Sequence, residues 1–210
     1  MTLQTNDHTE EEIKTCGAVI IGARGSSKEM CILNILKKFN SESMIYIFTN
    51  GHEPIYDYLQ DTLQERIFIS YGGYNGFLNF VQQRDEHLPA NNKSVMIFDN
   101  MELERDKTEI SNQYIYKYKF NCSTFYLSPR YSIIPPSIRH QFTLFFVVKV
   151  DKNDFKYLTK EAYLGVTNEQ LHGMYEYMLS KSGIGNFLMI NPCKSKISIN
   201  FSENLLAEDF

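Results

Sequence analysis

The stretch Gly22-Ala23-Arg24-Gly25-Ser26-Ser27-Lys28-Glu29 has residue types and a spacing suited to holding phosphate. A phosphate loop needs glycines so that successive backbone N–H groups can wrap the oxygens. It also needs a lysine to reach the β- and γ-phosphates, and a hydroxyl to hold Mg2+. Gly22, Gly25 and Lys28 meet the spacing and Ser26 lies inside the loop, whereas Ser27 stands where the last glycine belongs and Glu29 where the hydroxyl belongs. Further along, the apolar run SVMIFDN at 94–100 ends in Asp99 and Asn100. A carboxylate at the tip of a buried strand beside a phosphate loop holds Mg2+ through water. The plainer reading is that Asp99 opens a turn, which Asp and Asn both favour.

The elements that must position these groups follow from periodicity. GAVIIG at 17–22 is a short apolar run ending in glycine, the pattern of a buried parallel strand. KEMCILNILKKF at 28–39 puts Met30, Ile32, Leu33, Ile35, Leu36 and Phe39 on a helical stripe. Strand-like and helical runs then alternate: MIYIFTN at 44–50, a helix near 54–64, RIFISYGG at 66–73, a helix through 76–87, and SVMIFDN. STFYLS at 123–128 and FTLFFVVKV at 142–150 predict two more strands around the proline-bearing loop SPRYSIIPPSIRH. Helices at 153–162 and 167–181 precede NFLMIN at 186–191 and KISINF at 196–201, which read as a hairpin on the sheet edge. Strands that are apolar almost throughout and joined by helices imply an α/β fold, a mostly parallel sheet with helices on both faces. In such sheets ligands bind beyond the carboxyl ends of the strands, where residues 22–29 fall.

Composition narrows the function. With 43% hydrophobic and 22% charged residues the chain is in the globular range, and its net charge of −4 argues against a surface that is wholly a nucleic-acid footprint. Cys16, Cys31, Cys122 and Cys193 form no CxxC pair, so neither a zinc site nor a disulfide framework is expected. The five histidines show no metal-ligand spacing. Neither a signal peptide nor a membrane-spanning helix is expected, which points to the cytosol and to no membrane insertion. QYIYKYKF at 113–120 reads as a helix end running into a strand, although its mix of tyrosines and lysines also suits single-stranded nucleic acid.

With the loop, the strand and Asp99 assembled, the chain resembles the FtsK–HerA-type genome-packaging ATPases of large DNA viruses, including the poxvirus kind. The resemblance covers roughly residues 16–201. Its most distinctive part is STFYLSPRYSIIPPSIRHQFTLFFVVKV: a strand with a polar sensor at its end, a loop with proline, an arginine, and another apolar strand. The resemblance implies a RecA-like P-loop fold with an additional strand between the two Walker strands, with ATP and Mg2+ as cofactors. It also implies a homo-oligomer, a ring if motor-like, that handles DNA or meets capsid and assembly proteins in the host cytoplasm or the virion. Lys28 then matches the phosphate-binding lysine, Asp99 the acid on the metal side, and Arg139 the loop arginine that in such rings faces a neighbour's nucleotide.

The departures fall on catalytic positions. Glu29 replaces the Mg2+-binding hydroxyl, Asn100 the acid that activates water, and the sensor falls near Ser128 and Pro129. A carboxylate about 4 Å from a phosphate charge costs roughly 4 kcal/mol at an effective dielectric of about 20. An amide cannot accept water's proton, and lost general-base help lowers rates by about 10²–10⁴. Glu29 can alternatively ligate Mg2+ directly, which would make Asp99 and Glu29 the metal ligands. Three functions are therefore carried forward: a packaging-ATPase-like protein with reduced or lost hydrolysis, a non-enzymatic assembly scaffold, and a nucleotide-sensing module. Residues 1–15 are expected as a flexible leader, 16–203 as one P-loop domain and 204–210 as a tail, with Asp99 on the strand next to that of the loop and close to Lys28.

Overall fold

The computed structural model describes residues 13, 15–39, 43–82, 94–101, 108–115, 121–161 and 166–209. Six runs rich in β-branched and aromatic residues form parallel strands: β1 (Gly17–Ile21), β2 (Met44–Thr49), β3 (Ile67–Ser70), β4 (Ser94–Asp99), β5 (Cys122–Ser128) and β6 (Leu144–Val147). The hairpin β7 (Leu188–Asn191) and β8 (Lys196–Ile199) joins β6 antiparallel, and β9 (Glu203–Leu205) closes that edge. The sheet order is β3-β2-β4-β5-β1-β6-β7-β8-β9.

Alternation along each strand divides the core in two, since successive side chains point to opposite faces. Ala18, Ile20, Ile47, Ile97 and Leu127 meet α1 (Lys28–Leu36) and α2 (Pro54–Leu63) on one face, through Cys31, Ile32, Ile35, Tyr56 and Leu59. On the other, Val19, Ile21, Phe48, Phe98 and Tyr126 share a cluster with α3 (Gly73–Gln82), α4 (Thr108–Ile115), α5 (Pro136–Arg139), α6 (Lys152–Glu161) and α7 (Asn168–Ser180). This is the expected α/β sheet with helices on both faces and an edge hairpin.

Some local expectations shift. The proline-bearing loop contains α5, because Pro136 stands at a helix N1 position, where its missing N–H costs nothing. The helix after β3 starts earlier than 76, with Gly73 at φ 53 making the turn. The end of that helix beyond residue 82, and residues 116–120 of the tyrosine-rich run, lie outside the described residues. Ile13 is fully buried and the Thr15 amide donates to Ser123 Oγ at 2.8 Å, so the end of the expected leader is packed against the domain. At the other end, Asn204 and Leu205 pair with β8, so the sheet runs past residue 203.

Candidate nucleotide site

The loop between β1 and α1 leaves the carboxyl edge of the sheet near its middle. Its entry is anchored by backbone bonds to the end of β5 and to the segment just after β6, Gly22 N to Ser128 O at 3.1 Å and Ala23 N to Lys149 O at 2.6 Å. A Cβ on Gly22 would lie 2.3 Å from Ser26 Oγ, which explains the glycine. Gly25 has φ +73 and a Cβ there would meet nothing within 4 Å, so the loop crest faces open space. Ser27, the N-cap of α1, takes the left-handed conformation at φ 68 and ψ 35. The serine thus stands in the backbone shape that a glycine would adopt without strain.

Beyond this loop opens a cleft of about 450 Å3, lined by Arg24, Gly25, Lys28 and Glu29 from the loop and α1, Asp99 and Asn100 from the end of β4, Glu53, and Pro129. Lys28 and Asp99 therefore share one cleft, as expected. They are not on neighbouring strands: β5 pairs with both β1 and β4 and lies between them, so the expectation of adjacent strands is corrected. That intervening strand is the additional strand the resemblance implied. Two further clefts, at β3 and α3 and between α6 and α7, lie away from these residues.

Lys28 is 6% exposed, with its Nζ 3.4 Å from Ala23 O. The first N–H groups of a helix lack intrahelical acceptors. The Met30 and Cys31 amides turn back to Ser27 O, which leaves the amides at the very start of α1 as the donors such a terminus offers. Ser26 Oγ is buried without a hydrogen-bond partner. An open cradle at Gly25, first-turn amides, an orphan hydroxyl and a lysine are together the chemistry that fits a phosphate.

The acidic side is built around Tyr56. Its hydroxyl donates to Asp99 Oδ2 at 2.6 Å although the residue is fully buried. Burial pushes the Tyr56 pKa far above its ordinary value, and the charges of Asp99, Glu29 and Glu53 push it the same way, so the hydroxyl keeps its proton. Among the described residues no three His, Cys, Asp or Glu side chains converge as a metal-binding group. Asp99 and Glu29 still suit Mg2+ if nucleotide oxygens and water supply the rest of its shell, as that ion commonly requires.

Asn100 lies on the cleft at φ 56. Asn tolerates that left-handed conformation better than Glu does, and Asn50 Nδ2 donates to the Asn100 carbonyl at 3.2 Å. Ser128, at the sensor position, is fully buried and donates to Arg130 O at 2.8 Å. Arg139 is not brought to the cleft: it is 8% exposed and held by Glu161, Tyr157 and the carbonyls of Ser132 and Ile134. The sequence reading missed Tyr56, Glu53 and Arg24. Glu53 and Pro54 open a helix directly after a parallel strand, which puts its first turn at the ligand edge, and that signal could have found the first two.

A mostly parallel sheet with one strand inserted between the strand that leads into residues 22–29 and the strand that ends in Asp99 has the additional-strand arrangement of the P-loop class. The family model described as the poxvirus A32 protein matches residues 11–193, and the chain belongs to that family. No curated protein matches the chain. Solved structures share the fold. The genome packaging NTPase B204 from Sulfolobus turreted icosahedral virus 2, in complex with ATP-gammaS, has a TM-score of 0.64 at 15% identity, covering 91% of this chain and 98% of that one. B204 described as the DNA-packaging ATPase from Sulfolobus turreted icosahedral virus gives 0.65 at 16%, over 90% and 98%. EssC (ATPases 2 and 3) from Geobacillus thermodenitrificans gives 0.57 at 15%, over 94% of this chain and 41% of that one. Identities this low carry the fold and not the activity.

Proposed function

We propose that this chain is a packaging-ATPase-like protein acting in viral genome packaging or virion assembly, which binds ATP at the Lys28 cleft and hydrolyses it slowly or not at all. The observation that carries the reading is the meeting of Lys28, Asp99 and an anion-ready loop in one cleft at the carboxyl edge of the sheet. B204 is described in complex with ATP-gammaS and with AMPPCP, which supports a nucleotide in a cleft of this fold.

In this reading the loop amides and Lys28 hold the β- and γ-phosphates, while Arg24, exposed at the cleft mouth, adds a second cation. Asp99 would hold Mg2+, with nucleotide oxygens and water completing its shell, and the ion would supply neutralisation of the phosphate charge when bound. Asn100 orients water but accepts no proton, which accounts for slow turnover. Self-assembly into a ring, contact with DNA and contact with capsid proteins belong to the same proposal. Action in the host cytoplasm or the virion belongs to the proposal as well; among the described residues no helix is long and apolar enough to cross a membrane.

A second reading, a non-enzymatic scaffold, is favoured by the charges of the cleft. Three carboxylates, Glu29, Glu53 and Asp99, face two cations, Lys28 and Arg24, which disfavours a polyanion unless a divalent ion is present. Calorimetry with ATP in Mg2+ and in EDTA, beside a turnover assay, separates the two. Mg2+-dependent binding supports the first reading, and absence of binding under both conditions supports the scaffold.

A further inference from the structure

The first turn of α2 contributes a side chain that no phosphate-loop motif describes. Tyr56 is part of the buried cluster under β2 and β4, so its ring has little room to reorient. From there its hydroxyl meets Asp99 Oδ2 at 2.6 Å, the short distance of a hydrogen bond to an ionised oxygen. We propose that Tyr56 is a positioning residue that fixes the Asp99 carboxylate for a divalent cation, so that cation-dependent nucleotide binding relies on Tyr56 acting through Asp99.

The chemistry of the partner is what makes this a cation device. A lysine or arginine at the same point would also fix Asp99, but its charge would cancel the carboxylate's pull on a metal. The uncharged hydroxyl of a tyrosine holds the group by donating to it and leaves the negative charge in place. Such a donor matters more here because Glu29 and Glu53 line the same cleft and repel Asp99. The inference rests on the nucleotide reading given above.

The test compares ATP binding by calorimetry in Mn2+ and in EDTA for the wild type, Tyr56→Phe, Asp99→Asn and the double variant, with thermal unfolding alongside. Tyr56→Phe is expected to lose about tenfold of the Mn2+-dependent gain in affinity, the size set by a hydrogen bond to a charged group. Its affinity in EDTA stays unchanged, and the substitution adds nothing in the Asp99→Asn background. Should Tyr56→Phe unfold, Asp99→Glu keeps the charge but moves the carboxylate off the fixed hydroxyl, and it loses the same gain. A Mn2+-dependent gain that survives Tyr56→Phe or Asp99→Glu overturns the role of Tyr56 while leaving the nucleotide site standing. Wild-type protein that binds no ATP in Mn2+ overturns both readings.

Discussion

Arg139 and Glu161 meet in a two-pronged ion pair, Nε to Oε2 at 3.1 Å and Nη2 to Oε1 at 3.0 Å. Glu161 also accepts the Tyr131 hydroxyl at 2.9 Å, and Asp154 accepts the Tyr131 and Ser132 amides, so α6 clamps the loop that follows β5. An arginine held in this way organises its own subunit. Arg139 is buried while Glu161 reaches solvent, so Arg139→Ala loses hydrogen bonds to a charged partner without fully stranding it, and is expected to cost about 2 kcal/mol, read from denaturant unfolding. A loss below about 0.5 kcal/mol would mean that the pair is worth no more than a surface one.

Ser27→Gly is expected to stabilise the protein. Ser27 has φ 68 and its side chain makes no capping bond, and a left-handed non-glycine residue costs roughly 1–2 kcal/mol. For a chain of this size each kcal/mol raises the melting temperature by about 2–4 °C. A melting temperature that stays the same or falls would show that the serine side chain contributes to the loop.

Glu29→Thr is expected to tighten Mg·ATP binding by about tenfold or more, because it removes a negative charge from the cleft and restores a hydroxyl. Binding that weakens instead would make Glu29 a metal ligand. Asn100→Glu is a poor companion to this change. With φ 56 at that position, a glutamate would add roughly 1–2 kcal/mol of strain, visible as a lowered melting temperature.

Stability is expected to fall above about pH 10, the ordinary tyrosine pKa. Burial raises the pKa values of Tyr56, Tyr114 and Tyr131 in the folded chain. Above that pH the unfolded chain releases these protons while the folded chain keeps them, so each group lowers stability by about 1.4 kcal/mol per pH unit. Urea unfolding at pH 8 and at pH 10.5 measures this, and equal midpoints would contradict it.

Much of the architecture was legible because parallel strands buried on both faces have no polar alternation to blur them. β1, β4 and β5 sit where GAVIIG, SVMIFDN and STFYLS predicted. Strand order was less legible, since spatial neighbours in a sheet leave no mark in local periodicity, and Asp99 came out one strand further from the loop than expected. In the site, Lys28, Glu29, Asp99 and Asn100 were found through their spacing in sequence. Tyr56 was not, because its role depends on a hydrogen bond to a residue 43 positions away. The surroundings of Arg139 were hidden for the same reason, as Glu161 lies 22 residues further on.

The most direct test of the central claim is the affinity of the wild type and of Lys28→Ala for ATP in Mg2+, measured by calorimetry beside a phosphate-release assay. The wild type is expected to bind, Lys28→Ala to bind at least about tenfold more weakly for loss of a charged phosphate contact, and turnover to stay well below the roughly 1 s⁻¹ at the low end of working enzymes. Equal affinities in the two proteins, or wild-type turnover at or above that rate, would contradict the account.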